Sequence, residues 1–295
     1  MGPRLQMKYF RFLQHQHLRK SLIIFFGLAL LIYCHAPARA YVLPGPYILE
    51  LMTQNLGKGK RLLVTQKLVL LNDNPNKNTI DLSETLKYIF PNTFRSDILS
   101  ENIQRIHVLS RGRALTVIDG KTSDEAESRY DHYKDLLLFR SREMLQERLT
   151  HLGVDTKVSS IGRFQGKPAY VLGAQYPDET VPQVWLDKNT FRPLRWIITS
   201  QTQQRLEVRY LQWHKLEKTW YPMRIEFIAD GNLVREIHVE NIKVNPSFPK
   251  NLFDIEHLKS RYPQAEPTAS VGQDKKESTN EIQKTIEDFK KIYKQ

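Results

Sequence analysis

Short runs of alternating apolar and polar residues constrain the fold of this chain most. In residues 61–71 (RLLVTQKLVLL), the side chains of one face are apolar except Gln66, which is typical of a half-buried strand. In the last such run the apolar parity switches after Val239, which predicts a bulge near Glu240 or Asn241. The other predicted strands cover residues 85–90, 94–98, 103–109, 114–118, 157–163, 169–174, 183–187, 194–199, 206–213, 221–229 and 234–244.

Hairpin turns between these strands predict an antiparallel meander with one wet face and one apolar face. A long sheet of this kind must cover its apolar face, so it curls into a barrel or takes a helix as a lid. Residues 129–152 predict one long amphipathic helix that Gly153 ends. Its apolar stripe, the predicted lid, consists of Leu138, Leu145, Leu149 and Leu152. The predicted fold class is mainly β (α+β), a curved antiparallel sheet with a helical cover.

Residues 1–40 have the pattern of a signal peptide. Basic residues precede an apolar run that ends at Cys34, and Ala38-Arg39-Ala40 is the small-x-small pattern that signal peptidase cuts. The apolar run is shorter than the roughly 20 residues of a spanning helix, so we predict export. Cys34 is the only cysteine and would be lost with the signal. A lipid anchor on it is the less favoured interpretation, because Tyr33 stands where a lipoprotein signal has a small residue.

The composition changes after residue 263. Residues 264–278 are rich in Ser, Thr, Pro, Gly and charge, which predicts a flexible linker. Residues 279–295 return to helical spacing and predict an amphipathic C-terminal helix. Two interpretations stay open: a weakly ordered end, or a helix that docks on a membrane protein partner or a membrane surface. The predicted folded domain therefore spans residues 41–263.

The charge and the motifs exclude several function classes. The net charge is +12, but residues 1–40 carry six basic residues and no acidic one. The remaining charge is mixed with acids along the strands, so we predict no nucleic-acid binding. The sequence has no Gly-x-Ser-x-Gly, His-Glu-x-x-His or Walker motif, and no histidine pair at metal spacing. We therefore predict that the protein is not an enzyme and has no metal and no cofactor.

The apolar face of the sheet is the remaining candidate for function. Each buried CH₂ contributes about 0.8 kcal/mol, so binding of acyl chains needs an apolar groove and a movable lid but no catalytic group. We expect this groove between the sheet and the 129–152 helix. Shared strand parity assigns to it Leu62, Val64, Leu68, Tyr88, Phe90, Leu206, Val208, Tyr210, Met223, Ile225 and Phe227.

Five segments within residues 45–256 carry a family resemblance. They are the strand RLLVTQKLVLL, FRSDI at 94–98, HLGVD at 151–155, VWLDKNTFRPLR at 184–195 and NLFDI at 251–255. The chain resembles the outer-membrane lipoprotein-sorting superfamily, the LolA/LolB-like proteins, and the hairpin WLDKNTFRPLRW is the most specific match. The resemblance implies an unclosed antiparallel barrel with helices as a lid. Its apolar concave face would hold acyl chains of lipoproteins in the periplasm of a Gram-negative bacterium.

The resemblance also implies a strand arginine that ties the closed lid, for which Arg61 and Arg95 are the nearest candidates. Relatives include a membrane-anchored acceptor and a stress sensor, so two roles stay open. A monomeric carrier would sort lipid or lipoprotein to the outer membrane, whereas a sensor would report on lipid to a membrane partner through the tail. A periplasmic enzyme and a scaffold with a filled core are the less favoured alternatives.

Overall fold

Thirteen antiparallel strands form one sheet in the computed structural model, which describes residues 42–71, 79–100, 103–123, 127–199 and 205–263. The predicted signal peptide, linker and C-terminal helix lie outside these residues. Within the described ranges the edge strands β6 and β7 do not pair, so the sheet is an unclosed barrel and the predicted fold class is confirmed. The strands are β1 Arg61–Leu70, β2 Ile80–Ile89, β3 Thr93–Leu99, β4 Gln104–Ser110, β5 Arg113–Ile118, β6 Lys121–Thr122, β7 Ser159–Phe164, β8 Lys167–Leu172, β9 Gln183–Asp187, β10 Pro193–Thr199, β11 Arg205–Leu216, β12 Thr219–Ala229 and β13 Asn232–Val244.

The order of the strands explains why a cover crosses the sheet. The chain starts in the centre with β1, moves strand by strand to the edge at β6, and resumes at the opposite edge with β7. It then returns to the centre, where β13 pairs with β1. The connection between the two edges must therefore cross one face of the sheet. We call residues 127–152 of this connection the cover segment, and the sheet face that it covers the concave face.

The cover segment is not the single long helix that the leucine spacing predicted. A 3-10 helix, Arg129–Lys134, runs into the short α2, Asp135–Leu138, and the backbone is extended at the following Phe139. A new helix, α3, covers Arg142–His151, and the Ser141 hydroxyl caps it by accepting the backbone amide of Met144. A spacing of seven between leucines fits one helix or two short ones, so this pattern could not detect the break.

Three further helical elements complete the domain. Helix α1, Gly45–Asn55, packs its buried Ile48, Leu49 and Met52 into the main core. A 3-10 helix, Lys250–Phe253, and α4, Ile255–Arg261, lie on the opposite face of β4 and β5 in a second apolar cluster. A third apolar cluster, around Phe164 and Trp185, lies on the same face of β7 to β10.

The bulge predicted in the last strand is confirmed. In the pairing of β1 with β13, Thr65 faces Asn241 while the next residue, Gln66, faces Val239. Glu240 is therefore the extra residue. The bulge lets the apolar side chains on both sides of it point to the same face of the sheet.

Candidate functional site

The residues predicted to line the groove come together on the concave face. Nine of them are at most 1% exposed and share one core, and Phe90 packs against that core while partly exposed. Met223 is partly exposed and does not belong to it. The nine are Leu62, Val64, Leu68, Tyr88, Leu206, Val208, Tyr210, Ile225 and Phe227. Their shared location is a finding, whereas their role as an acyl-chain surface stays a prediction.

The predicted lid residues close this surface. Leu138, Leu145 and Leu149 have no exposed surface and belong to the same core, while Leu152 packs against it partly exposed. Near these leucines the Tyr210 hydroxyl donates a hydrogen bond to the Tyr133 carbonyl at 2.8 Å. The concave face is therefore shut in this structure, and a ligand could reach it only if the cover segment moves.

A buried polar group interrupts the apolar residues of the concave face, which the sequence interpretation missed. Gln66 faces Glu84 across β1 and β2 and donates a hydrogen bond to its carboxylate at 2.6 Å. Ser96 donates a second one at 2.5 Å. Burial raises the pKa of Glu84 despite these donors. The signal was Gln66, the one polar residue on an apolar strand face, because a buried amide needs partners nearby.

One ion pair fastens the cover segment to the sheet beside this polar group, and further pairs join residues within the cover. The guanidinium of Arg105 in β4 contacts both carboxylate oxygens of Asp131, at 2.7 and 2.8 Å. Lys134 pairs with Glu127 at 2.8 Å. Further along, Arg148 bridges Glu127 at 2.8 Å and Asp135 at 2.7 Å. We call these six residues the charged end of the site. Its three cations and three carboxylates balance.

The pKa values at the charged end follow from this pairing. Burial opposes ionisation of Asp131, but the charges of Arg105 and Lys134 outweigh it and hold the pKa of this carboxyl far below its usual range. Burial lowers the pKa of His107 from 6.5 to about 3. His107 is therefore neutral, and its Nδ1 lies 2.9 Å from the Thr116 hydroxyl.

Neither arginine that the resemblance suggested as a lid tie contacts the cover segment. Arg61 is exposed and reaches the carbonyl of Pro246 at 3.4 Å. Arg95 pairs with Asp97 at 2.7 Å and donates to the carbonyl of Leu252, on the opposite face of the sheet. Both suggestions were wrong, because strand parity turns these side chains away from the concave face. Two strand arginines reach the cover: Arg105 through Asp131, and Arg235 of β13, whose guanidinium carbon lies 4.2 Å from the centre of the Tyr130 ring.

Arg140 differs from the arginines of the charged end. It lies in the break between α2 and α3, and its three guanidinium nitrogens are shielded from solvent and form no hydrogen bond with any described residue. The guanidinium carbon lies 4.4 Å from the centre of the Phe90 ring. The two hydroxyls of Tyr88 and Tyr221, 2.9 Å apart, belong to the same interior. No sequence pattern marked this position.

A separate cavity of about 370 Å³ lies among strands β7 to β11. Its lining is mixed, with apolar Phe164 and Leu194 beside charged Lys167, Asp187 and Arg192. It contains only one predicted groove residue, Tyr210. This cavity therefore does not coincide with the closed concave surface.

The described ranges contain neither a candidate metal-binding group nor a candidate membrane-spanning helix. No group of three or more His, Cys, Asp or Glu residues there has a geometry that could hold a metal ion. No helix in those ranges is long and apolar enough to span a membrane.

Solved structures share the fold. A structure described as an outer membrane lipoprotein-sorting protein domain from Vibrio parahaemolyticus matches with a TM-score of 0.50 and 13% identity, over 73% of this chain and 98% of that chain. A LolA superfamily protein from Nitrosomonas europaea matches at 0.47 and 13%, over 73% and 100%. A DUF1329 family protein from Desulfovibrio piger matches at 0.49 and 11%, over 74% and 100%. No family model and no curated protein match the sequence. The predicted resemblance to LolA-like proteins is confirmed at the level of the fold.

Proposed function

We propose that this protein is a periplasmic lipid- or lipoprotein-binding protein that holds acyl chains between the sheet and the cover segment. The proposed role is that of a carrier in sorting to the outer membrane. The observation that carries the proposal is the cover itself: the largely apolar concave face of an unclosed sheet is closed, within the described ranges, by short helical elements. A second sheet would make a permanent core, whereas short pieces can lift without breaking strand pairing.

The geometry supports an exchange of one apolar partner for another. In the closed form Leu138, Leu145 and Leu149 occupy the concave face. When the cover lifts, acyl chains take the place of these side chains, so the apolar sheet surface stays out of water. Each methylene group so buried contributes about 0.8 kcal/mol. Chain length therefore sets the affinity, and no catalytic group is required.

The remaining parts of the proposal follow from the sequence. Residues 1–40 would direct export and be removed, which places the domain in the periplasm of a Gram-negative bacterium. The protein would act as a monomer without enzymatic activity or a cofactor. Residues 279–295, outside the described ranges, would dock on a membrane partner. Deleting residues 264–295 separates the two roles: a carrier keeps lipid transfer, whereas a sensor keeps binding and loses signalling.

The test is a chain-length series of uncharged ligands on the full mature chain. Fatty alcohols of 10, 12, 14 and 16 carbons would displace the neutral fluorescent probe N-phenyl-1-naphthylamine. We expect the affinity to rise about fourfold per methylene group, as a transfer free energy of about 0.8 kcal/mol requires. Lipid extracted from the protein purified from its native source and identified by mass spectrometry would name the natural ligand.

A pair of variants on one strand locates the binding surface. Val208→Phe adds volume on the concave face and should shorten the longest chain that binds. Leu211→Phe on the opposite face of β11 is the matched control and should leave the series unchanged. Absence of any chain-length dependence in the wild-type protein would contradict the proposed function and favour a scaffold with a permanently filled core.

A further inference from the structure

Arg140 is a buried cation whose charge no described residue neutralises. All three of its guanidinium nitrogens are inaccessible to solvent and without a hydrogen bond in the described ranges. The ring of Phe90 covers one face of the guanidinium. The centre of this ring lies 4.4 Å from the guanidinium carbon. An isolated buried charge is strongly unfavourable. The buried guanidinium therefore points to a partner other than the described residues, and an anionic ligand is one that the concave face could supply.

The groups that act on the Arg140 charge are two tyrosine hydroxyls, which can donate to a ligand and carry no charge of their own. Tyr88 and Tyr221 form one hydroxyl–hydroxyl bond with each other, which uses one of their two protons. The second proton has no acceptor among the described residues. Burial raises the pKa of both tyrosines, so both hydroxyls keep their protons. Burial also lowers the pKa of Arg140 to about 10, which still leaves it charged at neutral pH.

This set of donors lies where the predicted groove meets the break in the cover segment. Tyr88 is itself a groove residue, and its ring stacks on Phe90 at 5.7 Å between centroids. The Phe90 ring in turn packs against the guanidinium of Arg140. A ligand whose chain lies along the concave face could therefore place its head beside Arg140.

We propose that Arg140, with the Tyr88–Tyr221 pair, binds the carboxylate of a free fatty acid whose chain lies on the concave face. This inference rests on the proposed function and adds the chemical class of the ligand. A carboxylate offers only acceptors in one plane, which matches the planar donors of a guanidinium. One negative charge also balances one positive charge. A phosphate monoester would bring nearly two, whereas the described groups that act on the charge of Arg140 are the two tyrosines and no second cation.

The test compares two ligands that differ only in their head group. Palmitate and 1-hexadecanol would each displace N-phenyl-1-naphthylamine from the full mature chain. We expect wild-type protein to bind palmitate at least about tenfold more tightly, as for a hydrogen bond to a charged group. In Arg140→Met this preference should vanish while hexadecanol still binds, and Arg140→Lys should recover part of it. Arg142→Met, two residues away and exposed, is the matched control and should keep the full preference.

A second measurement separates ligand binding from a structural role. Without ligand, Arg140→Met should raise the melting temperature by about 2 °C or more, because it removes an unpaired buried charge. A lowered melting temperature would overturn the proposal, since it would make Arg140 a stabilising residue. Equal affinity of the wild-type protein for both ligands would also overturn it. If 16-carbon lysophosphatidylglycerol binds more tightly than palmitate, the head group that Arg140 recognises is a phosphate diester, and the proposed carboxylate is wrong. Failure of both 16-carbon ligands to bind would reject the proposed function itself.

Discussion

The charged end and Arg140 place arginines at the junction of the cover segment and the sheet, with opposite outcomes. At the charged end, Arg105 and Arg148 each meet a carboxylate within 3 Å. Arg140, in the break between α2 and α3, meets an aromatic ring and two hydroxyls but no carboxylate of a described residue. Ion pairs therefore hold the cover on both sides of the break, at residues 127–135 and at Arg148. A charge without a carboxylate partner destabilises the closed form and leaves binding energy for a ligand.

The largest expected effect would come from breaking the fastening. Arg105→Met leaves the Asp131 carboxylate buried without its cation, so the free energy of unfolding should fall by about 3–5 kcal/mol. Urea denaturation measures this change. Arg113→Met is the matched control because its pair with Glu256 is exposed on both sides, and it should cost about 0–1 kcal/mol. Equal effects of the two substitutions would remove the distinction between the charged end and the protein surface.

A pH dependence of intermediate size should come from His107. Its pKa in the folded protein is about 3 against 6.5 in the unfolded chain, so between these values the unfolded chain binds more protons. The stability contribution is therefore complete above pH 6.5 and falls as the pH falls, by about 2 kcal/mol at pH 5. Asp131, Glu127, Lys134 and Arg105 surround this group.

The contribution of His107 can be isolated by substitution. His107→Asn keeps a polar atom near the Thr116 hydroxyl but cannot titrate, so its stability should change about 2 kcal/mol less than that of the wild-type protein between pH 7 and pH 5. The exposed His257→Asn serves as the control and should follow the wild-type curve. Urea denaturation at both pH values gives the comparison. Parallel curves for His107→Asn and wild type would show that the charged end admits water.

The smallest effect is expected at the hydrogen bond between β11 and the backbone of the cover. Tyr210→Phe removes the bond to the Tyr133 carbonyl, and the free energy of unfolding should fall by about 1 kcal/mol. Hydrogen exchange should show faster opening of the cover amides around Tyr133, with little change in α3. Equal acceleration in α3 would mean that the two helical parts of the cover open together.

The sequence predicted the strands well because period-two alternation depends only on which face of a strand is buried. It placed nine groove residues in one core and located the bulge at Glu240 within one residue. It did not predict the charged end, because buried ion pairs join residues far apart in the chain, as Arg105 and Asp131 do. In the predicted 129–152 helix, the residues around Asp131 would lie on the polar face. The sequence did not predict the position of Arg140 either. Only the packing around Phe90 shows that the guanidinium is buried and has no hydrogen-bond partner among the described residues.

The pairing of β1 with β13 gives the domain a particular order of assembly. Leu62 faces Val244, so the centre of the sheet joins segments almost at the two ends of the domain. Until β13 has formed, β1 exposes an unpaired edge of ten residues, the kind of edge on which strands of other molecules add. Closing this seam also requires the longest loop in the domain, which slows folding. A chain that emerges from an export channel N-terminus first would therefore keep this edge open until the last strand arrives.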